Sequence, residues 1–255
     1  MENVSILQIK NLCVDYCTPK GSINVLNNIS LDITKGEFVS ILGPNGSGKS
    51  TFIGSIAGHI KPTSGVVAIN GLETSKPGMD RPIVLQDYGL FNWMTVYDNI
   101  AFPLKNLRVE KKTVKTRVKE IIELFELDGF EHHYPFELSG GMKQKAAIAR
   151  AFIIDSDILL LDEPFANLDI SVKNKLYTIV SEFAATRSKT VIHVTHNVDE
   201  AIFLSDRIIE FTQGPAEISR IIKVEQGRPR GSEFRSSEYF KKLKIDIIKN
   251  YEGEI

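Results

Sequence analysis

Nine consecutive residues have the types and the spacing needed to hold a phosphate group. They read Gly43-Pro44-Asn45-Gly46-Ser47-Gly48-Lys49-Ser50-Thr51, which is Gly, four free positions, Gly-Lys, and then Ser or Thr. Glycines let the backbone approach phosphate oxygens, and a helix that starts here would direct free N–H groups and its positive dipole end at the anion. Lys49 would then reach the terminal phosphates, and Ser50 would ligate Mg²⁺. Residues 38–42 predict a buried strand before the loop, and residues 51–57 predict a helix after it.

Two adjacent carboxylates follow a second apolar segment. Residues 158–161 are all Ile or Leu, and Asp162 and Glu163 come next. Phosphoryl transfer to water depends mainly on positioning and charge neutralisation. Because consecutive residues of a strand point in different directions, Asp162 can hold a metal ion while Glu163 orients or deprotonates a water molecule.

A third motif, combined with the first two, points to one particular protein family. Leu138-Ser139-Gly140-Gly141-Met142-Lys143-Gln144 lies between them and is followed by a small-residue helix pattern at residues 146–151. The order of the motifs resembles that of the nucleotide-binding domain of the ABC (ATP-binding cassette) ATPases, over residues 7–224. The resemblance implies a Walker A motif at residues 43–51, a signature motif at 138–144, a Walker B motif ending at Asp162 and a catalytic base at Glu163. It also implies ATP and Mg²⁺ as cofactors.

Three further side chains receive roles through this resemblance. Gln86, which follows the short apolar segment 83–85, matches the Q-loop residue that contacts Mg²⁺ or the attacking water and links the site to a helical subdomain. His196, at the end of segment 190–195, matches the switch histidine that touches the γ-phosphate. Tyr16 resembles the aromatic residue that stacks on adenine, although an aromatic ring at a strand end can also pack in the core or on the surface.

The signature motif belongs, by the same resemblance, to a site shared between two chains. Ser139, Gly140 and Gly141 head a predicted helix, and a helix N-terminus favours anions. In the family this end binds the γ-phosphate that the other subunit holds, so that two nucleotides are buried in a head-to-tail homodimer. Asp169, in Asn167-Leu168-Asp169, matches the loop that crosses this interface.

Strands alternate with helices along the chain, which predicts an α/β fold with a mostly parallel sheet covered on both faces. The resemblance implies a P-loop NTPase of the ABC ATPase type, with an N-terminal antiparallel β portion and an inserted helical subdomain at about residues 88–156. Strands are predicted at residues 4–14, 28–34, 37–42, 66–70, 83–85, 190–195 and 206–211, and helices include residues 114–125 and 172–183. Residues 1–225 are expected to form a single nucleotide-binding domain. Residues 226–255 are expected to form a polar tail, loosely attached as far as a short helix near residues 238–249.

Composition and charge narrow the class of protein. The chain has 255 residues, 42% of them hydrophobic, and a net charge of −1, all typical of a globular protein. No run approaches 18 apolar residues and the N-terminus lacks a leader pattern, so we expect neither a membrane span nor a secretory signal. The basic residues at 111–119 alternate with valines at helical spacing, which indicates the solvated face of an amphipathic helix rather than a nucleic-acid site. We expect Cys13 and Cys17 to remain reduced.

Three segments indicate which branch of the family the chain resembles. Residues 76–81, 90–100 and 211–216 resemble those of ATPases that serve importers of nitrate, sulfonates, taurine and the pyrimidine precursor of thiamine. The resemblance implies an energy-coupling subunit that hydrolyses ATP as a homodimer, peripherally bound on the cytoplasmic face of the inner membrane. Its partners would be two permease subunits and an extracytoplasmic substrate-binding protein, with no nucleic acid. The alternatives are a soluble ABC ATPase that acts on DNA or ribosomes, and the ATPase of an exporter.

A cluster of large apolar residues follows the Q-loop segment. It contains Leu90, Phe91, Trp93 and Met94. The resemblance implies a groove here that receives a short helix of the permease, and exposed apolar patches often mark such contacts. We therefore predict that Phe91 or Trp93 is substantially exposed in the isolated chain.

Overall fold

The computed structural model describes residues 5–19, 21–166 and 168–253. The strands of this part of the chain are β1 (Ser5–Thr18), β2 (Gly21–Thr34), β3 (Phe38–Leu42), β4 (Ser64–Ile69), β5 (Leu72–Glu73), β6 (Ile83–Val84), β7 (Ile158–Asp162), β8 (Thr190–Thr195), β9 (Arg207–Phe211) and β10 (Ile218–Lys223). The α-helices are α1 (Lys49–Ala57), α2 (Val96–Asn106), α3 (Lys111–Leu124), α4 (Gly140–Phe152), α5 (Ile170–Thr186), α6 (Val198–Leu204) and α7 (Glu238–Gly253). Within these ranges no helix is long and apolar enough to cross a membrane.

Six strands form the central sheet, in the order β10-β9-β3-β8-β7-β6. Neighbours from β9 to β6 run parallel, and β10 runs antiparallel to β9. β3 and β8 are buried along their whole length, as expected for parallel strands covered on both faces. The register pairs Leu42 with Thr195, and Asp162 with Val194. The residues that follow these strands therefore meet at one edge of the sheet, where ligands bind in open α/β folds.

A second sheet is antiparallel, with the order β2-β1-β4-β5. β1 and β2 are longer than the sequence predicts, because their pairing continues to Thr18 and Gly21 at the turn. Asn70 and Gly71 both have positive φ, 50° and 76°, and make the predicted tight turn between β4 and β5. The buried side chains of this sheet share one core with β3 and α1, so that β2 lies beside the phosphate loop.

Helices α2, α3 and α4 occupy the stretch between β6 and β7 in which the sequence predicts helices. Thr95 caps α2, because its hydroxyl accepts the backbone N–H of Asp98 at 3.1 Å. On α3, Val114 and Val118 are buried and the neighbouring lysines are exposed. The basic segment is therefore the solvated face of an amphipathic helix, as the sequence predicts.

The C-terminal segment packs firmly on the central domain. Phe234, Phe240 and Ile247 are buried in the same core as α5 and α6. Arg230 is 5% exposed and donates hydrogen bonds to the carbonyl oxygens of Ile202 and Phe203, both at 2.9 Å. The prediction that residues after 226 are loosely attached is therefore wrong. Arg228 and Arg230 suggest a solvated segment in the sequence, but Arg230 donates to buried carbonyl groups and Arg228 donates to the carboxylate of Asp206. The predicted helix is present as α7.

Candidate nucleotide site

The phosphate loop lies between β3 and α1 and depends on two of its glycines. Gly48 precedes the first residue of α1 with a φ of 86°, in the left-handed region. A Cβ on Gly48 would lie 3.1 Å from the carbonyl oxygen of Val25 on β2, which is closer than nine in ten real Cβ contacts. A Cβ on Gly43 would lie 2.6 Å from the Ser47 hydroxyl. The loop can therefore fold closely over the start of α1 only with glycine at these positions.

Lys49 is held inside this loop. Its ammonium group donates to the carbonyl oxygens of Gly43 at 2.9 Å and Pro44 at 2.8 Å, and the side chain is 5% exposed. Burial lowers the pKa of Lys49, while the negative charges of Glu163 and Asp162 act in the opposite direction. The cation is therefore fixed where the loop would place phosphate oxygens.

Asp162 and Ser50 form a pair suited to a hard cation. The Ser50 hydroxyl donates to Oδ1 of Asp162 at 3.2 Å. Burial raises the pKa of Asp162, opposed by the hydrogen bond from Ser50, and a bound cation would act in the same direction as that hydrogen bond. Among the described residues, no group of three or more His, Cys, Asp and Glu side chains could hold a metal ion. A magnesium ion fits this pair because it keeps water and phosphate oxygens as its other ligands.

The carboxylate of Glu163 lies between the side chains of His196 and Lys49. One carboxylate oxygen, Oε2, lies 3.0 Å from Nδ1 of His196, and the other, Oε1, lies 4.0 Å from Nζ of Lys49. Its backbone has a φ of 45°, which is uncommon for a residue with a side chain, and its N–H donates to the carbonyl of Val194 at 3.0 Å. Strained backbone of this kind concentrates at functional sites. The carboxylate is thus held at the sheet edge, with its side chain 15% exposed.

A cavity of about 250 Å³ opens at this edge. Its lining residues come from β1, β2, the phosphate loop, α1 and the segment after β7, and they are Tyr16, Val25, Asn45, Gly46, Gly48, Lys49, Ser50, Thr51 and Glu163. Tyr16 is 42% exposed, and its hydroxyl lies 3.4 Å from that of Thr51. An aromatic ring at the mouth of a phosphate cavity can stack on a nucleobase. Except for Val25, every residue of the lining is one that the sequence predicts for the site.

Comparison with known proteins agrees with this geometry. A family model described as ABC transporter matches residues 26–166. The aliphatic sulfonates import ATP-binding protein of Bacillus thuringiensis is 40% identical over 232 residues, covering 91% of this chain and 90% of that protein. The nitrate import ATP-binding protein of Synechococcus elongatus is 38% identical over 234 residues, covering 91% and 85%. The chain belongs to the ABC transporter family.

A solved structure shows the same fold. It is the dimeric structure of a bacterial ABC transporter cassette, 32% identical, with a TM-score of 0.80 over 87% of this chain and all of that one. The predicted fold class is thereby confirmed. The chain is an ABC cassette with an ATP site, and it hydrolyses ATP.

Several predicted site residues do not line the nucleotide cavity of this ABC cassette, namely Gly43, Pro44, Ser47, Asp162, His196, Gln86 and the signature residues Ser139, Gly140 and Gly141. Gln86 follows β6 and is exposed, and the pairing of Val84 with Leu161 places it at the same sheet edge as Glu163. Ser139 caps α4 by accepting the N–H of Met142 at 3.3 Å, and it lies outside the cavity lining together with the next two glycines. The cassette therefore brings together its Walker motifs and His196, but leaves its signature motif apart from its own nucleotide cavity.

The sequence analysis missed a polar cluster behind this site. Glu200 on α6 is 4% exposed and lies near Lys173, Tyr177 and Thr195. His193 is fully buried in β8 and contacts Ser40 and Glu200, although no motif contains it. The available signal was a histidine and two threonines in an otherwise apolar strand, which indicates buried polar partners without identifying them.

Proposed function

We propose that the chain is the ATP-hydrolysing, energy-coupling subunit of an ABC importer. The observation that carries this proposal is the position of Glu163 between Lys49 and His196, beside the Ser50–Asp162 pair. In this arrangement Lys49 and the loop N–H groups bind the terminal phosphates. Glu163 accepts a proton from the attacking water, and His196 contacts the γ-phosphate.

Mg²⁺ would be held by Ser50 and Asp162, with Gln86 completing the site once it turns inward. When bound, the ion would neutralise phosphate charge as it develops during transfer. The carboxylate of Asp162 supports this role because it lies 3.2 Å from the Ser50 hydroxyl, so that both could bind one cation. Gln86 lies at the same sheet edge, just beyond β6, which is the support for its inclusion.

The working form is a homodimer in which each nucleotide contacts both subunits. Ser139, Gly140 and Gly141 head a helix but do not line their own chain's cavity, so another chain must supply the phosphate that they would bind. The similar cassette of solved structure is dimeric, which supports the same assembly here.

A groove beside the Q-loop segment is the proposed contact with two permease subunits. Trp93 is 73% exposed, as predicted, and packs against Phe91 with ring centroids 5.3 Å apart. A cavity of about 180 Å³ next to this pair is lined by residues that include Phe91, Phe102 and Arg150. Aromatic side chains and arginine often dominate interface energies. This contact would hold the chain peripherally on the cytoplasmic face of the inner membrane, and an extracytoplasmic binding protein would complete the importer.

The cargo that we propose is nitrate, a sulfonate, taurine or a thiamine pyrimidine precursor. The support is the resemblance of residues 76–81, 90–100 and 211–216 to that group. The names of two relatives, one for aliphatic sulfonates and one for nitrate, agree with it.

Measurement of ATPase activity with and without Mg²⁺ tests the proposal. Glu163→Gln keeps the shape of the side chain but cannot take a proton from water, so kcat should fall by about a hundredfold or more. The dissociation constant for ATP should be unchanged, and gel filtration should show a dimer trapped with Mg-ATP. Glu120→Gln, which changes an exposed carboxylate on α3, is the control and should hydrolyse ATP as the wild type does. Normal turnover by Glu163→Gln would remove Glu163 from this role.

A further inference from the structure

Glu200 is a buried carboxylate that the proposed mechanism does not use. Its Oε1 accepts a hydrogen bond from the Tyr177 hydroxyl at 2.8 Å and lies 3.6 Å from Nζ of Lys173. Its Oε2 accepts from the Thr195 hydroxyl at 2.7 Å. Lys173 and Tyr177 belong to α5, whereas Thr195 ends β8. One carboxylate therefore connects a helix on one side with a strand end on the other.

The strand that Glu200 contacts, β8, ends directly before His196. The backbone N–H of Asn197 donates to the Thr195 hydroxyl at 3.0 Å. The side chain of Asn197 in turn accepts the N–H of Glu200 at 3.2 Å. Both neighbours of His196 are thus tied to Glu200, while the half-exposed imidazole itself contacts Glu163. The position of the imidazole therefore depends on the turn that Glu200 holds.

The helix that Glu200 contacts, α5, begins directly after the loop that is predicted to cross the dimer interface. Asp169 precedes α5, and its carbonyl accepts the N–H of Lys173 at 2.9 Å, so Lys173 lies in the first turn of the helix. A small cavity of about 100 Å³ has Glu163, His196, Lys173 and Glu200 among its lining residues. A shift of the first turn of α5 would therefore move groups that share a cavity with Glu163 and His196.

We propose that Glu200 is a positioning residue, which links the first turn of α5 to the turn at residues 195–197 and so sets His196 against Glu163. A buried ion pair adds little net stability compared with an apolar replacement. The geometric role of Glu200 is therefore more important than its contribution to stability. The proposal rests on the proposed ATPase function and adds a route by which the interface loop acts on the catalytic pair.

Substitutions at Thr195 test the link without removing a buried charge. Thr195→Val keeps the shape of the side chain but loses the hydroxyl that joins Glu200 to Asn197, and we expect kcat to fall by about tenfold or more. Thr195→Ser keeps the hydroxyl and should retain kcat. The dissociation constant for ATP should be unchanged in both, because the phosphate loop is not altered. Equal kcat values for the Val and Ser variants would overturn the proposal.

Glu200→Gln should show the same fall in kcat, because an NH2 donor replaces one of the two oxygens that accept from Tyr177 and Thr195. Combined with Thr195→Val it should cause little additional loss, since both changes break one connection. Glu210→Gln is the matched control: Glu210 is 4% exposed and held by Arg220 at 2.8 Å, so the variant should lose stability but not kcat. An equal loss of kcat in Glu210→Gln, or additive losses in the double variant, would overturn the proposal.

The outcomes for the two proposals differ. A wild-type chain without ATPase activity, or an active Glu163→Gln variant, would overturn the proposed function. If the wild type is active and Glu163→Gln is not, normal kcat in Glu200→Gln would overturn the positioning role alone.

Discussion

Nδ1 of His196 lies 3.0 Å from Oε2 of Glu163. The other oxygen of the same carboxylate faces the Lys49 ammonium at 4.0 Å. Glu163 is therefore placed between two groups that are both proposed to contact phosphate. Binding of ATP would offer these two groups phosphate oxygens and leave the carboxylate available for water.

The composite site predicts complementation between two inactive variants. Ser139→Arg should stop hydrolysis by keeping the start of α4 from the γ-phosphate that the partner holds, and Lys49→Ala should stop it by removing the cation that binds the phosphates. A heterodimer of the two has one site with both motifs intact and one site with both altered. A mixture should therefore hydrolyse ATP faster than the sum of the separate variants, measured as phosphate release.

The control for this mixture pairs Lys49→Ala with the double variant Lys49→Ala, Ser139→Arg, which leaves no intact site in any dimer. Activity of the first mixture no greater than that of the control would contradict two independent composite sites.

The exposed indole of Trp93 predicts a variant that separates transport from hydrolysis. Trp93→Asp should abolish import and permease binding while basal ATPase activity stays normal, because it removes an exposed aromatic ring from the docking surface and places a charge against the apolar face of the partner. Import into proteoliposomes and co-purification with the permease measure the two effects. Leu72→Asp is the control, since Leu72 is 75% exposed on the smaller sheet and should import normally. Normal import by Trp93→Asp would exclude this groove as the docking site.

The complete burial of His193 predicts that the protein loses stability in mild acid. Burial lowers its pKa from 6.5 to about 4, against the opposing charge of Glu200. The unfolded chain therefore binds this proton more readily than the folded chain. The contribution to stability is fully present above pH 6.5 and declines as the pH falls towards 4, by up to about 3 kcal/mol.

Urea unfolding between pH 7.5 and pH 4 measures this effect. His193→Gln should be less stable at neutral pH and should lack this part of the pH dependence. His59→Gln, at an exposed histidine, should retain it. Identical pH dependence in the wild type and His193→Gln would assign the acid sensitivity to other groups.

The hydrogen bonds of Arg230 to α6 predict that the C-terminal segment stabilises the domain. Arg230→Met fills a similar volume but leaves the carbonyl groups of Ile202 and Phe203 without their donor, which should cost about 1–3 kcal/mol of unfolding free energy. Chemical denaturation measures the change. Lys241→Met, on the exposed side of α7, should change stability by no more than about 0.5 kcal/mol. Equal stabilities of the two variants would show that Arg230 contributes little.

The amino-acid sequence alone indicated the phosphate loop and the acidic pair at the end of β7, and His196 was assigned through the resemblance to ABC ATPases. These features are readable because each combines a short motif with a strand or helix beside it, and both are local properties of the chain. The parallel register of the folded sheet brings the three to one edge, where Leu42 pairs with Thr195 and Asp162 with Val194.

Only the tertiary structure decided which polar residues share a site. Glu200 meets Tyr177, 23 positions away, and Arg230 meets Ile202, 28 positions away, so no local spacing reports either contact. The separation of Ser139 from its own chain's nucleotide cavity also depends on how α4 packs in the folded chain. Hydrophobic periodicity shows that a residue is buried or exposed, but the partner of a buried polar group is chosen by packing between distant segments, which a linear sequence does not display.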